Sequence, residues 1–467
     1  MMKIALPPFA LSEVEGFRRA ERGCFASLSA GLRLRSARTV LLGLALTATP
    51  ALAQSVTITN ATVAIGDGSE PIKGGTVVVS AGKIVAAGAG VAVPAGTKTI
   101  DAGGKWVTPG IVSGFSRVGL AEVPAVRETN DTSAGRSPFS AAIDVAPVVN
   151  PLANPIAISR TAGITRAVVA PATGSSIFAG QGAVVDLGSD LNPITKARAF
   201  QYVEMGEAGS AEAGGSRAAM ILTFRMMLRQ AQDYAKAPAS YDGNSRDALL
   251  NRVDAEALAP VVTGAMPLMV HAESARDILA VLALRQEFPA LKLILAGATE
   301  GWMVANQIAA AKVPVITAGL EDLPSSFEKL AATQSNVGRL VKAGVSVSMG
   351  MLTGDDALQL RAATQQAGNM VALAKVPGAA GLSWGQALRT ITSAPAEAMG
   401  LGDRFGSLRA GRAGDVVLWD GDPLEMTSAP VAVWIDGVQQ PLDNRQTRLR
   451  DRYATPTEGS LPKAYEW

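Results

Sequence analysis

The chain has 467 residues, enough for one large domain and a smaller companion. Its 48% hydrophobic content supports a large core, and a formal charge of +2 gives no basis for a nucleic-acid partner. One cysteine, Cys24, and one histidine, His271, exclude an internal disulfide, a Cys-cluster zinc site and any site needing two or three imidazoles.

Residues 1–54 read as a leader, not as fold. Arg33, Arg35 and Arg38 form a basic region, residues 39–48 an apolar run too short to span a bilayer, and Ala51-Leu52-Ala53 a small-x-small cleavage site. This predicts a signal peptide cut near Ala53 and a periplasmic mature chain beginning at Gln54, with no membrane anchor left after cleavage. No lipobox surrounds Cys24, so a lipoprotein is not expected, and cleavage near Ala53 would leave a mature chain without cysteine.

Residues 55–108 alternate apolar and polar positions between glycine turns, which predicts short, half-exposed strands of a β-sandwich. Residues 401–467 repeat the pattern, with Gly411-Arg412-Ala413-Gly414-Asp415-Val416-Val417-Leu418-Trp419 and Val433-Trp434-Ile435-Asp436-Gly437 as turn-and-strand units. Between them, residues 109–400 alternate apolar runs with helical patterns. Strands are expected at 166–170, 182–187, 267–271, 291–296, 313–317 and 345–349. Helices are expected at 217–236, 275–288, 299–311, 325–343 and 356–374. This rhythm predicts an α/β chain with a parallel TIM-like (β/α)8 barrel. Residues 124–154, rich in Pro, Asn, Asp and Ser, are expected to form a long loop over the barrel mouth.

The junction Thr108-Pro109-Gly110-Ile111-Val112-Ser113-Gly114-Phe115-Ser116-Arg117 resembles the point where amidohydrolase-superfamily chains leave a small β-domain and enter barrel strand 1. Residues 406–419 and 431–437 resemble that family's returning β segments, and 384–396 its A-L-x-x-x-T-x-x-P-A segment; the likeness lies with the imidazolonepropionase-like branch. It implies a discontinuous β-sandwich, residues 55–108 plus 401–467, around a barrel at 109–400. It also implies hydrolysis of C–N bonds, such as amides or cyclic ureides, with zinc or another divalent metal. The ligand positions, however, read differently here. The strand-1 aspartate is Ser113, its two histidines are Phe115 and Arg117, the strand-6 position near Ala296-Gly297-Ala298 has no histidine, and the strand-8 aspartate reads Leu352. Only the strand-5 histidine remains, as His271.

From these residues the expectation is a degenerate metal site, no bound metal or other cofactor, and His271 as the catalytic candidate. Arg117, Glu273 and Glu300 are the binding candidates. Three roles are open to Arg117: binding an anion, pairing with Glu122, Glu273 or Glu300, or facing solvent. A carboxylate-only cation site drawing on Glu122, Glu128, Asp131 or Asp144 matches no known loop spacing. Two functions follow: a divergent hydrolase for a small molecule, or a non-catalytic binding or assembly subunit, self-associating or paired with an active paralogue.

Overall fold

A computed structural model describes residues 55–352 and 358–454. The leader, Cys24, Asp355 and Asp356 lie outside them. Five strands open the described part of the chain: β1 (Val56–Val63), β2 (Ile72–Ser80), β3 (Lys83–Gly88), β4 (Lys98–Asp101) and β5 (Trp106–Pro109). Eight build the barrel: β6 (Ile111–Ser116), β7 (Ile164–Val169), β8 (Phe178–Asp186), β9 (Ile194–Glu204), β10 (Leu268–Ala272), β11 (Leu293–Gly297), β12 (Val315–Thr317) and β13 (Val347–Met349). Three return to the first sheet: β14 (Val416–Trp419), β15 (Pro430–Ile435) and β16 (Val438–Gln439).

Both ends of the chain share one eight-stranded sheet, in the order β16-β15-β14-β5-β1-β2-β3, with β4 also on β1. The join is antiparallel, with Val416 opposite Pro109 and Trp419 opposite Trp106. β1 serves two parallel neighbours: its first half pairs with β4 and its last residues with β5. Asn60, at φ 52°, lies between the two stretches, where the register with β2 also shifts. That bulge turns the sheet over its own apolar face, which buries Ile58, Val77, Val107, Val416 and Trp434.

The barrel strands follow one another in space from β6 to β13. The ring closes where the Met351 N–H donates to the Phe115 carbonyl (3.0 Å). Glycines allow this approach: a Cβ on Gly114 would sit 2.7 Å from the Met349 carbonyl oxygen, and one on Gly350 2.7 Å from the Phe115 Cβ. The expectation of an all-parallel barrel needs one correction, since β8 runs antiparallel to both β7 and β9. The connections at 170–177 and 187–193 fall short of the dozen or so residues a parallel crossover takes, so hairpins form instead.

Side-chain alternation divides the barrel into two layers. Val112, Phe115, Val168, Phe200, Tyr202, Met269, Ile294 and Ile316 fill the interior. Val169, Val203, Val270 and Leu295 face the surrounding helices. Arg217–Lys236 is helical as expected, burying Met220, Phe224, Met227, Leu228, Ala231 and Tyr234. The helix expected over 325–343 shrinks to Asn336–Lys342, preceded by a 3-10 turn at Phe327–Lys329. The Asn336 side chain accepts from the Trp302 N–H (3.0 Å) and donates to the Ala298 carbonyl (3.0 Å), which fixes the helix start late. The residues before it are a loop over the barrel mouth.

Barrel and sheet are joined by a buried ion network. Arg166 Nε lies 2.6 Å from Asp415, its Nη2 2.7 Å from Asp436, and its Nη1 donates to Thr195 (2.8 Å). The guanidinium also packs over the Phe405 ring, 4.9 Å from its centroid. Nearby, burial raises the Asp186 carboxyl to about 6. Its folded pKa exceeds the unfolded 3.8, so the fold holds the extra proton. Stability from this group is greatest below about pH 4 and is lost as pH rises through 6. Asp186→Asn keeps an acceptor for the Gly188 N–H (3.0 Å) and removes the charge. It is expected to stabilise the protein by about 1–2 kcal/mol at pH 8 and by much less at pH 4.5. Equal urea midpoint shifts at the two pH values would contradict the assignment.

Candidate active site

The site stands at the C-terminal ends of the barrel strands, where β9 and β10 run side by side. Their parallel register sets His271 against Glu204. Tyr202 and Met269 point into the barrel, so Glu204 and His271, two residues further on, point inward at its rim. Glu273 follows β10, and the backbone beyond β11 bends over it at Gly297 (φ 86°), where a Cβ would lie 2.7 Å from the Glu273 carboxyl carbon.

His271 lies between two carboxylates. Its Nδ1 contacts Glu204, and its Nε2 lies 3.0 Å from Glu273. Burial opposes the charged ring, but Glu204 first and then Glu273 outweigh it and hold the pKa well above 6.5. The ring is therefore an imidazolium donating from both nitrogens. Glu273, 1% exposed, also meets Lys329 Nζ at 3.1 Å and accepts from the Thr299 N–H (3.0 Å) and hydroxyl (2.7 Å). Burial alone would raise its pKa; the bond and charge of His271, then Lys329, hold it well below the usual carboxylate range. Lys329 Nζ reaches Glu321 as well (2.7 Å), and these two carboxylates raise its pKa against the effect of burial. The Tyr202 hydroxyl donates to Glu204 (3.1 Å).

The structure thus brings together two of the residues expected from sequence, His271 and Glu273, and adds Glu204, Glu321 and Lys329. Glu300 is elsewhere engaged: its carboxylate accepts from the Ala275 and Ala331 N–H groups, both at 3.0 Å, and ties a helix start to the mouth loop. Arg117 pairs with none of its three expected partners. Glu122 is held by Asn154 (2.9 Å), and Arg117 lies over the Phe115 ring, 5.8 Å from its centroid. Phe115 is fully buried beside Tyr202, with ring centroids 5.6 Å apart, and is part of the barrel core. Ser113, also buried, donates its hydroxyl to the Phe115 carbonyl (2.9 Å).

Glu204 was open to sequence reading only through its strand. Ile194–Glu204 escapes an apolar-run search because its first five residues are polar or solvent-facing, and only its last six are buried. Lys329 had no sequence signal, being one lysine in a stretch of helical pattern.

Comparison with known proteins agrees with this architecture. Residues 290–441 match the amidohydrolase family model. The chain is 25% identical over 373 residues to the amidohydrolase tasK of Hapsidospora irregularis, a match that covers 73% of this chain and 37% of that protein's length. An amidohydrolase structure from Thermotoga maritima superposes with a TM-score of 0.72 at 25% identity, covering 84% of this chain and all of that one. A zinc-bound adenosine deaminase from Xanthomonas campestris aligns at 17% identity over 84% of this chain and 93% of its own, with a TM-score of 0.46.

The family match overturns the expectation of no cofactor: a divalent metal belongs to the chemistry of this family. The donor set here does not fit the family's usual arrangement. Among the described residues, no three His, Cys, Asp or Glu side chains converge as a metal-holding group. Both nitrogens of His271 face carboxylates, and the Lys329 ammonium lies between Glu273 and Glu321. An ion entering here would have to displace the proton of His271 and the Lys329 ammonium. In strand order, closure and returning sheet the chain has the architecture of the amidohydrolase superfamily, and residues 290–441 match its family model.

Proposed function

We propose that the protein is a hydrolase of C–N bonds in small amides or cyclic ureides, with its reacting groups in the cluster at the ends of β9 and β10. The observation that carries this reading is the continuous chain Glu204–His271–Glu273–Lys329–Glu321 at the barrel rim, the face where such barrels hold their chemistry. The metal site is proposed to be remodelled from the family pattern. Glu321, 24% exposed, is the most accessible carboxylate of the chain and is assigned as proton acceptor. Water adds to the carbonyl carbon as its proton passes to Glu321. Negative charge growing on the carbonyl oxygen is met by the fixed charges of His271 and Lys329. The C–N bond breaks as the proton moves to the leaving nitrogen.

A second reading, a binding subunit without turnover, is favoured by one observation: both His271 nitrogens are already committed to carboxylates. The two separate on a panel of amides and cyclic ureides, assayed as purified and after loading with zinc or manganese, with metal content measured on the same samples. The hydrolase reading expects turnover that falls about 100-fold or more in Glu321→Gln and His271→Gln. No turnover under any loading supports the binding reading.

Export to the periplasm is part of the proposal. It is supported by the basic and apolar leader and by a first strand that begins at Val56, just past the cleavage site at Ala53. N-terminal sequencing of protein from the periplasmic fraction should begin at Gln54. Full-length chain retained in the cytosol would reject export.

A further inference from the structure

The helix Arg445–Ala454 follows the returning sheet and buries none of its residues. It is tied to the body through its start. Asn444 and Thr447 cap one another, the Thr447 N–H donating to the Asn444 side chain (3.0 Å) and the Asn444 N–H to the Thr447 hydroxyl (2.9 Å), while the Asn444 amide donates to the Thr161 hydroxyl (3.0 Å). A helix this short is marginal in water on its own, so its bare face gains from a partner. Arg445, Arg448, Leu449, Arg452 and Tyr453 fall at i, i+3, i+4, i+7 and i+8, which is one face. All five are exposed, Leu449 at 41% and Tyr453 at 44%. The Arg452 guanidinium lies 5.5 Å from the Tyr453 ring centroid. Among the described residues Arg445 and Arg452 make no ion pair, and Arg448 reaches Asp443 at 3.9 Å. Arg450, on the opposite side, is paired with Asp451 (2.6 Å). Three arginines beside two apolar side chains complement a surface that is negative at its plane and apolar just beneath. An anionic bilayer has that profile: phosphates meet the guanidinium heads, while the arginine stems, Leu449 and the Tyr453 ring enter the headgroup boundary. A nucleic-acid backbone matches the charge but offers no apolar layer.

We propose that the helix Arg445–Ala454 docks the protein reversibly on a membrane surface containing anionic phospholipid. Among the described residues no helix is long and apolar enough to cross a membrane, so the attachment this face offers is peripheral. Thr161, to which the helix is fastened, ends the helix before β7, so the docking face lies toward the N-terminal ends of the barrel strands. The mouth, at the opposite ends, stays open to water. The proposal is independent of whether the barrel hydrolyses its ligand or only binds it.

The test is co-sedimentation of the full mature chain with vesicles of phosphatidylcholine alone and of equal parts phosphatidylcholine and phosphatidylglycerol. Binding is expected on the anionic vesicles only, and it should weaken as salt is raised. Each arginine at such a surface strengthens binding about fivefold, so the triple variant Arg445→Gln, Arg448→Gln, Arg452→Gln should lose about 100-fold. Its melting temperature should not change, because none of these side chains is buried. The double variant Leu449→Ser, Tyr453→Ser should keep the salt-sensitive attraction but bind about tenfold more weakly, since the apolar part of the contact is gone. Arg450→Gln, on the far side, should change little. Binding to neither vesicle, equal binding to both, or anionic binding that survives the triple variant overturns the proposal.

Discussion

Replacing Asp415 by Ala is expected to lower the unfolding free energy by about 3–5 kcal/mol. Asp415 is 3% exposed and supplies two of the contacts that neutralise Arg166, itself 4% exposed, while also accepting from the Asp436 N–H (2.9 Å). Removing it leaves a guanidinium buried between barrel and sheet with Asp436, which is largely in solvent, and the more distant Asp186 as its remaining counter-charges. The loss should be read by urea denaturation at pH 7. The double variant Arg166→Met, Asp415→Leu should recover much of it, because the cost comes from the orphaned charge and not from the missing contact alone. A single-variant loss below about 1 kcal/mol would mean that water reaches Arg166 and that the network does not tie the two domains together.

Glu204→Gln should have the next largest effect, and the only histidine in the chain makes it directly visible. In the wild type, the imidazole resonances should report a protonated ring well above pH 6.5. Glu204 is the chief cause of that elevation, so in the variant the titration midpoint should fall. The stability consequence has a definite sign. A raised folded pKa contributes stability that is fully present below the unfolded value near 6.5 and is lost as pH rises through the folded value. The variant should therefore be weaker than wild type by about 2–4 kcal/mol near pH 6, with the gap narrowing at higher pH. A midpoint unchanged in the variant would show that Glu273 alone holds the proton.

Several barrel strands were legible because each is a short apolar run bounded by turns. The runs expected at 166–170, 267–271 and 345–349 overlap β7, β10 and β13 to within two residues. The antiparallel course of β8 was hidden, because strand direction depends on connection length and not on the residues of the strand. The site was half legible. His271 and Glu273 share one strand end, so a single motif carried both. Glu204 needed the pairing of β9 with β10, and Lys329 needed a loop that only looks helical in isolation.

By itself the sequence determined the turn-and-strand pattern at both ends, the alternation of strands and helices between them, and that Phe115 and Arg117 stand where the family resemblance expects histidines, since each follows from local pattern or residue identity. Only the tertiary structure decided what the altered mouth contains. Ion pairs form between residues far apart in the chain, and their strength comes from shared burial. Glu204, His271, Glu273, Lys329 and Glu321 became one electrostatic unit, and Arg117 was left outside it, when the strands closed into a ring.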